Sequence, residues 1–282
     1  MGYGPINKMN PCIIFTVFNK YRELQINLEL LKKYAGINLP IFIITNNRKF
    51  PNELFRKYNI VSIPRNRGIQ NGELDLITEG IKHSKKMGHD YTVKITADKF
   101  VIYPEWLKIA LSSFIQFSRS QIRPYCVDKD NINYIKDISN GEFYYVPNAG
   151  GDVWPTYILS QIYLGFVFPR RNLPRNSPQI RTDIFIVNNN FALKSMFPNS
   201  ISNTSCIEAE FFNRISKIYP PVFSPWDLLS KTRHHNTFNL YLNGYIFHSH
   251  TKENIINFLQ ETNNKKLISY LEDEEECKKL LS

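Results

Sequence analysis

Asp98 closes the run Tyr91-Thr92-Val93-Lys94-Ile95-Thr96-Ala97-Asp98 and is followed directly by Lys99. Tyr91, Val93 and Ile95 alternate with Thr92, Lys94 and Thr96, which is the period of a β-strand. A helix-patterned segment closed by Gly88 precedes this strand, and Tyr103-Pro104-Glu105-Trp106 opens another helix after it. A carboxylate at the carboxyl end of a strand, between two helices, stands where open α/β sheets bind ligands. A second group is Pro64-Arg-Asn-Arg-Gly-Ile-Gln-Asn-Gly72. Arg65, Arg67 and Asn71 can contact an anion there, Gly68 and Gly72 allow close backbone approach, and the helix that follows offers open N–H groups. The other reading of that stretch is a basic surface loop. A third group is His248 and His250, two apart on a short strand pattern and therefore pointing the same way.

The elements that must position these groups are legible upstream. Cys12-Ile-Ile-Phe-Thr-Val-Phe18 is a continuous apolar run of the kind buried on both faces of a parallel sheet. Asn19 is placed to cap the next helix, in which Leu24, Leu28, Leu31 and Ala35 share one face before Gly36 stops it. Pro40 to Thr45 is a second buried strand, Pro51 to Tyr58 a short helix, and Asn59 to Ile63 a third strand. The helix after Gly72 carries Leu74, Ile77 and Ile81 on one face. Strand and helix thus alternate with short connections, predicting a mostly parallel sheet flanked by helices.

Further on, helices are expected from Trp106 to Phe117, from Ser205 to Ile218 and from Lys252 to the end. Strands are expected at Phe143–Val146, Tyr163–Phe168, Arg181–Val187 and Gly244–His250. Asp128-Lys129-Asp130 follows no clear buried strand run and reads as a surface loop, and no regular element frames His234-His235.

The 282 residues suffice for one large domain. A net charge of +10 favours anionic partners, but no lysine or arginine block marks a nucleic-acid tail, so no specific nucleic acid is expected. Cys12, Cys126, Cys206 and Cys277 lie far apart, without a Cys-x-x-Cys pair or a secretory lead-in. The expectation is free thiols in the cytoplasm. No apolar run reaches the length of a membrane span, which leaves a peripheral membrane contact open.

Over residues 11 to 107 the order strand, helix, strand, Arg/Asn/Gly loop, helix and acidic strand end resembles nucleotide-sugar glycosyltransferases of the GT-A fold. In that family the fourth strand ends in an Asp-x-Asp motif that grips a divalent metal and the sugar diphosphate. Here the motif reads Thr96-Ala97-Asp98, so its first carboxylate is absent. The resemblance implies a GT-A-like single domain. Residues 1–110 would form a donor-binding subdomain, and residues 111–282 an acceptor-side subdomain with a C-terminal helix. It implies a nucleoside diphosphate sugar as donor, a glycan or a lipid- or protein-linked glycan as acceptor, and Mn²⁺ or Mg²⁺ as cofactor. One carboxylate with diphosphate oxygens and waters can hold such a cation.

By the same resemblance Thr16, Asn19, Asn46, Arg65, Arg67, Asn71, Asp98 and Lys99 would contact the donor, with capping or turn roles equally open to Asn19 and Asn46. Lys99 could replace part of the metal's charge. Asp98, His248 and His250 would hold the metal. A base for the acceptor hydroxyl would come from Asp183, Glu208 or Glu210, although Glu208 also completes a capping box with Ser205. Asp152 and Trp154 would meet the acceptor. Two alternatives remain at this point. One is a nucleotidyltransferase of related fold, disfavoured by the lack of glycine in Thr16-Val-Phe-Asn-Lys-Tyr21. The other is a non-catalytic glycan-binding or scaffold protein that kept the fold and lost its acid.

Overall fold

The structure is a computed structural model that describes residues 9–102, 104–108, 111, 125–127, 135–137, 162–164, 184–202, 205, 207, 210, 211, 214, 232–235, 239–242, 246–248 and 251–272. Its centre is β1 (Pro11–Val17), buried at every position, as its unbroken apolar sequence requires. β2 (Ile41–Thr45) and β3 (Asn59–Ser62) extend the sheet to one side, and β4 (Tyr91–Thr96) lies on the other. All these neighbours run parallel.

Beyond β4 the direction reverses. β5 (Lys99–Val101), β6 (Tyr125–Val127), β7 (Ile135–Asp137), β8 (Ile162–Leu164) and β9 (Ile184–Asn188) follow in the chain. β9 pairs antiparallel with β4, and β8 antiparallel with β9, giving the order β3-β2-β1-β4-β9-β8. The strand expected at Arg181–Val187 is thus β9, and it joins the second half of the chain to the sheet of the first. The architecture is the mostly parallel, helix-flanked sheet expected from the sequence.

α1 (Tyr21–Tyr34) connects β1 to β2, and α2 (Gly68–Lys86) connects β3 to β4. These crossovers run in opposite directions along the sheet, so right-handed connections put the two helices on opposite faces. α1 has two apolar faces. Leu24, Leu28 and Leu31 join the main core, whereas Ile26 and Leu30 join a second core with Phe100, Ile255, Phe258, Leu259 and Leu271. Burying each such side chain contributes about 1.5–3 kcal/mol. The second core comes from α3 (Lys252–Glu261) and α4 (Ser269–Glu272), which cover the outer side of α1 and β5. The rings of Phe100 and Phe258 stack at 6.0 Å.

Several local expectations need correction. Asn19 makes no cap: Lys20 holds that position, without a side-chain cap bond. The segment after Pro51 is a short 3₁₀ helix, Asn52–Phe55. α2 begins at Gly68, so the second half of the basic loop is helical. The helix expected from Lys252 onward is broken after Glu261 by Asn263 at φ 56° and by the buried Asn264, whose amide bonds Thr262. Just before Asp128-Lys129-Asp130 lies β6, paired with β7 apart from the main sheet. His234 and His235 do lie in a regular element. They end β10 (Thr232–His235), which pairs with β11 (Asn239–Leu242), which pairs in turn with β12 (Ile246–His248). The strand expected at 143–146 and residues 128–130 lie outside the described residues, as does most of the helix expected after Trp106.

The polar side of β4 is buried as well: Thr92 and Lys94 are 0% exposed, beneath α2. Packing of α2 there is close, for a Cβ on Gly80 would come within 2.8 Å of Ile14 and 2.9 Å of Ile44.

Candidate functional site at the carboxyl ends of β1, β2 and β4

β1 leads away toward β2 and β4 arrives from the other side, so the strand order reverses between β1 and β4. Crevices at such a reversal, outside the carboxyl ends of the strands, are where open α/β sheets take ligands. Thr16 and Thr96 are paired there, and the Ala97 amide donates to the Thr16 carbonyl at 3.3 Å. Asp98 is the next residue, in the turn between β4 and β5. It is 4% exposed, more buried than a strand-end turn suggests.

Asn27 of α1 shapes this turn. Its buried Nδ2 donates to the carbonyls of Thr96, Ala97 and Lys99 at 3.4, 3.1 and 2.6 Å. Nothing in the helical pattern of α1 marks Asn27 for that role beyond its being polar among apolar neighbours. After the turn, β5 pairs antiparallel with β12, and His248 stands opposite Lys99. Two stretches about 150 residues apart in the chain, both singled out in the sequence, therefore meet at the crevice. Lys99 is 0% exposed.

A charged cluster that sequence reasoning missed lies under α2. Lys94 Nζ donates to Glu73 Oε1 at 2.6 Å and to Thr96 Oγ1 at 2.7 Å. Thr16 Oγ1 donates to the same Glu73 oxygen at 3.1 Å. The Lys94 side chain is 0% exposed and that of Glu73 25%. A fully buried ammonium is costly unless paired and hydrogen-bonded, and Glu73 meets that need. The signal was available as a lysine in the middle of an otherwise buried strand.

The basic loop is mostly engaged within the protein. Arg67 forks onto Asp75, Nε to Oδ2 at 2.8 Å and Nη2 to Oδ1 at 2.6 Å, while Nη1 donates to the Asn199 carbonyl at 3.1 Å. Asp75 holds the Arg67 guanidinium above its ordinary pKa. Asn71 donates to the Ile201 carbonyl at 3.0 Å and accepts from the Ile201 amide at 2.7 Å. Gln70 accepts from the Ile207 amide at 2.9 Å. Residues 67, 70 and 71 thereby dock the backbone at 199, 201 and 207 onto the start of α2. Arg65 is exposed, as is Asn19 at the end of β1. Asn46, 6% exposed, sits against Gly72: a Cβ there would lie 3.2 Å from its Nδ2 and 3.1 Å from Asn66 Oδ1. The Asn46 Oδ1 is buried and accepts no hydrogen bond.

Glu210 lies in a helical stretch, 3.5 Å from the Ser205 hydroxyl that donates to it. Asp152, Trp154, Asp183, Glu208 and His250 lie outside the described residues. Among the described residues no three His, Cys, Asp or Glu side chains converge in a way that could hold a metal. The crevice fits a divalent cation only if substrate oxygens complete its shell. No helix among the described residues is long and apolar enough to cross a membrane.

No family model and no curated protein matches the sequence. Among solved structures, the chain is similar to a mannosyltransferase, PcManGT from Pyrobaculum calidifontis, in complex with GDP-Man and Mn²⁺. The TM-score is 0.46 at 11% identity, over 77% of this chain and 54% of that one. The chain thus spans about half of that enzyme's length. It is also similar to S. aureus TarS (fragment 1–349), with TM-score 0.43 and 12% identity over 78% of this chain and 62% of that one. A third similar structure is CMP:2-keto-3-deoxy-manno-octonic acid synthetase complexed with CTP, with TM-score 0.40 and 14% identity over 74% and 85% of the two chains.

Proposed function

We infer that the protein transfers a sugar from a nucleoside diphosphate sugar to a glycan or glycoconjugate acceptor. The observation that carries this reading is Asp98, buried at the point where strand order reverses, with β12 bringing His248 into register beside Lys99. The donor would lie along the carboxyl ends of β1, β2 and β4. Asn46 supports a base subsite, since its buried amide oxygen lacks a donor that a nucleobase N–H would supply. Phe18, 46% exposed just past β1, offers a ring face to the same base. Asn19 and Arg65 would approach the nucleotide from the rim. Arg67 and Asn71 would act chiefly by holding the backbone at 199 and 201 as a wall of the crevice.

At the diphosphate, Asp98 with His248 and His250 would hold Mn²⁺ or Mg²⁺ together with phosphate oxygens. When bound, that cation supplies positive charge where the leaving diphosphate gains negative charge. Lys99 would add to it through the low-dielectric interior. Asp183, Glu208 or Glu210 would take the proton of the acceptor hydroxyl, with Asp152 and Trp154 on the acceptor. The test is isothermal titration with UDP-, GDP-, dTDP- and CMP-linked sugars, followed by donor hydrolysis with and without Mn²⁺. Binding in the micromolar range to at least one donor is expected. Failure of every donor to bind below millimolar would end this reading.

A further inference from the structure

We propose that Glu73 supplies the carboxylate that the Thr96-Ala97-Asp98 turn lacks, and that its Oε2 receives the hydroxyls of the donor's ribose. This rests on the nucleotide reading above and sharpens it to ribonucleotides. Thr96 occupies the first acidic position of the motif, yet its hydroxyl is bound to Lys94, and the same Lys94 ammonium binds Glu73. Thr96 Oγ1 and Glu73 Oε1 are therefore no further apart than two hydrogen-bond lengths. A carboxylate absent from the strand has been delivered to the same place from α2.

The geometry also separates the two oxygens of that carboxylate. Oε1 takes both inward donors, the Lys94 ammonium and the Thr16 hydroxyl. Among the described residues none donates to Oε2, and the side chain keeps 25% of its exposure beside a lysine that has none. Fixing one oxygen inward leaves the other aimed and unspent, which is how a positioned acceptor is built. The paired charge decides what it accepts. An unpaired carboxylate beside a diphosphate would repel it, and would attract a metal. Glu73 is neutralised by Lys94 at hydrogen-bond distance, so it suits neutral hydroxyl donors better than a cation. Vicinal ribose hydroxyls are the neutral donors that a nucleotide brings to the carboxyl end of such a sheet.

The experiment is isothermal titration of the full chain with UDP, GDP, CDP and ADP and with the 2′-deoxy form of each. The wild type should bind its preferred ribonucleotide at least about tenfold tighter than the deoxy form, because a site built for a hydroxyl rejects the analogue that lacks it. Glu73→Gln should bring the two within about twofold by weakening the ribo form alone. That variant removes a carboxylate bound to a buried ammonium, so Glu73→Asp is the companion. It keeps the charge on Lys94, while its shorter side chain withdraws Oε2 from the ribose, and it should narrow the ratio likewise. Circular dichroism reports which variants fold. A wild-type ratio near one overturns the assignment whatever the variants do. So does a ratio that survives in a folded Glu73→Asp protein. In both cases nucleotide binding itself stands. If no nucleotide binds the wild type, the reading of the site falls and this inference falls with it.

Discussion

β1, α2 and β4 enclose two polar clusters, one at each end of the sheet, and the two are built on opposite principles. Toward the amino ends, Cys12, Ser84, Thr92 and Asn189 are all buried and neutral. Thr92 donates to Asn189 Oδ1 at 2.6 Å, Asn189 Nδ2 donates to Ser84 Oγ at 2.9 Å and to the His89 carbonyl at 2.8 Å, and Cys12 Sγ lies 2.9 Å from Ser84 Oγ. Each polar group there finds its partner inside the protein. Toward the carboxyl ends, Thr16, Glu73, Lys94 and Thr96 form a charged cluster, in which one Glu73 oxygen takes both inward donors and the side chain stays 25% exposed. A closed network fixes where β4 and the start of the segment after β9 sit. An open one keeps a polar atom for something outside. The same three elements therefore serve as structure at one end and as a binding edge at the other.

The sharpest way to break this contrast is to remove one partner of the buried ion pair. Glu73→Ala removes the carboxylate from an ammonium with no exposure and should cost about 3–5 kcal/mol in urea unfolding. Adding Lys94→Met to the same chain should restore most of that loss, since replacing both partners of a buried pair is often near neutral. A double variant as unstable as Glu73→Ala would mean that the ion pair is not what holds this end of the sheet.

Asp98→Asn comes next. The change is nearly isosteric and discards a charge at a position only 4% exposed, so folding should persist. Turnover of the preferred donor should fall by about 10²-fold, equivalent to about 2.7 kcal/mol of barrier. Loss of activity on chelation in the wild type would assign part of that effect to a cation. Insensitivity to chelator, with a crippled His248→Ala variant, would assign it to side chains. Full turnover in Asp98→Asn would move the active centre off this turn.

How much of this could be read beforehand depended on where the physical cause resides. The strands β1 and β2 were legible because a strand buried on both faces of a parallel sheet must be apolar along its length, and β4 by the alternation of Tyr91, Val93 and Ile95 with polar residues. Asp98 and the late histidines were legible as residues, and their meeting was not: it follows from the β5–β12 pairing, a contact between distant stretches that no local pattern encodes. The burial of Lys94 was not legible for the same reason: α2 covers the polar face of β4, and Glu73 makes the covering tolerable. Arg67 and Asn71 were readable as polar groups, but their present partners, Asp75 and the backbone at 199 and 201, appear only once the chain folds back.

The closed cluster gives a smaller and separable effect. Thr92→Val keeps the volume and removes the donor to Asn189 Oδ1, leaving that oxygen short of a bond in a site without water access. A loss of about 1–3 kcal/mol in stability is expected, with nucleotide affinity unchanged within about twofold. A change in affinity as large as that in the Glu73 variants would show that the two ends are coupled through β4 and would dissolve the distinction between them.

The smallest effect is a pH dependence from the same cluster. Burial pushes the Cys12 thiol up to about 11, against 9.0 for an ordinary cysteine, with the Ser84 and Thr92 hydroxyls pulling it part of the way back. A thiol is neutral when protonated, so the folded state holds its proton to higher pH than the unfolded chain does. Below pH 9 both states are protonated and Cys12 contributes no slope. Between about 9 and 11 the unfolded chain gives up its proton first, and stability falls as pH rises, by at most about 1.4 kcal/mol per pH unit from this group. Other groups titrate in that range, so the observable is a difference. Urea midpoints for wild type and Cys12→Ala, taken from pH 7 to 11, should run parallel up to about 9 and converge above it. Alkylation gives a second readout, since a buried protonated thiol should react with iodoacetamide at pH 8 only as fast as the protein opens. Fast labelling of Cys12 in the folded protein, judged by peptide mapping, would mean that the amino end of the sheet is as open as the carboxyl end.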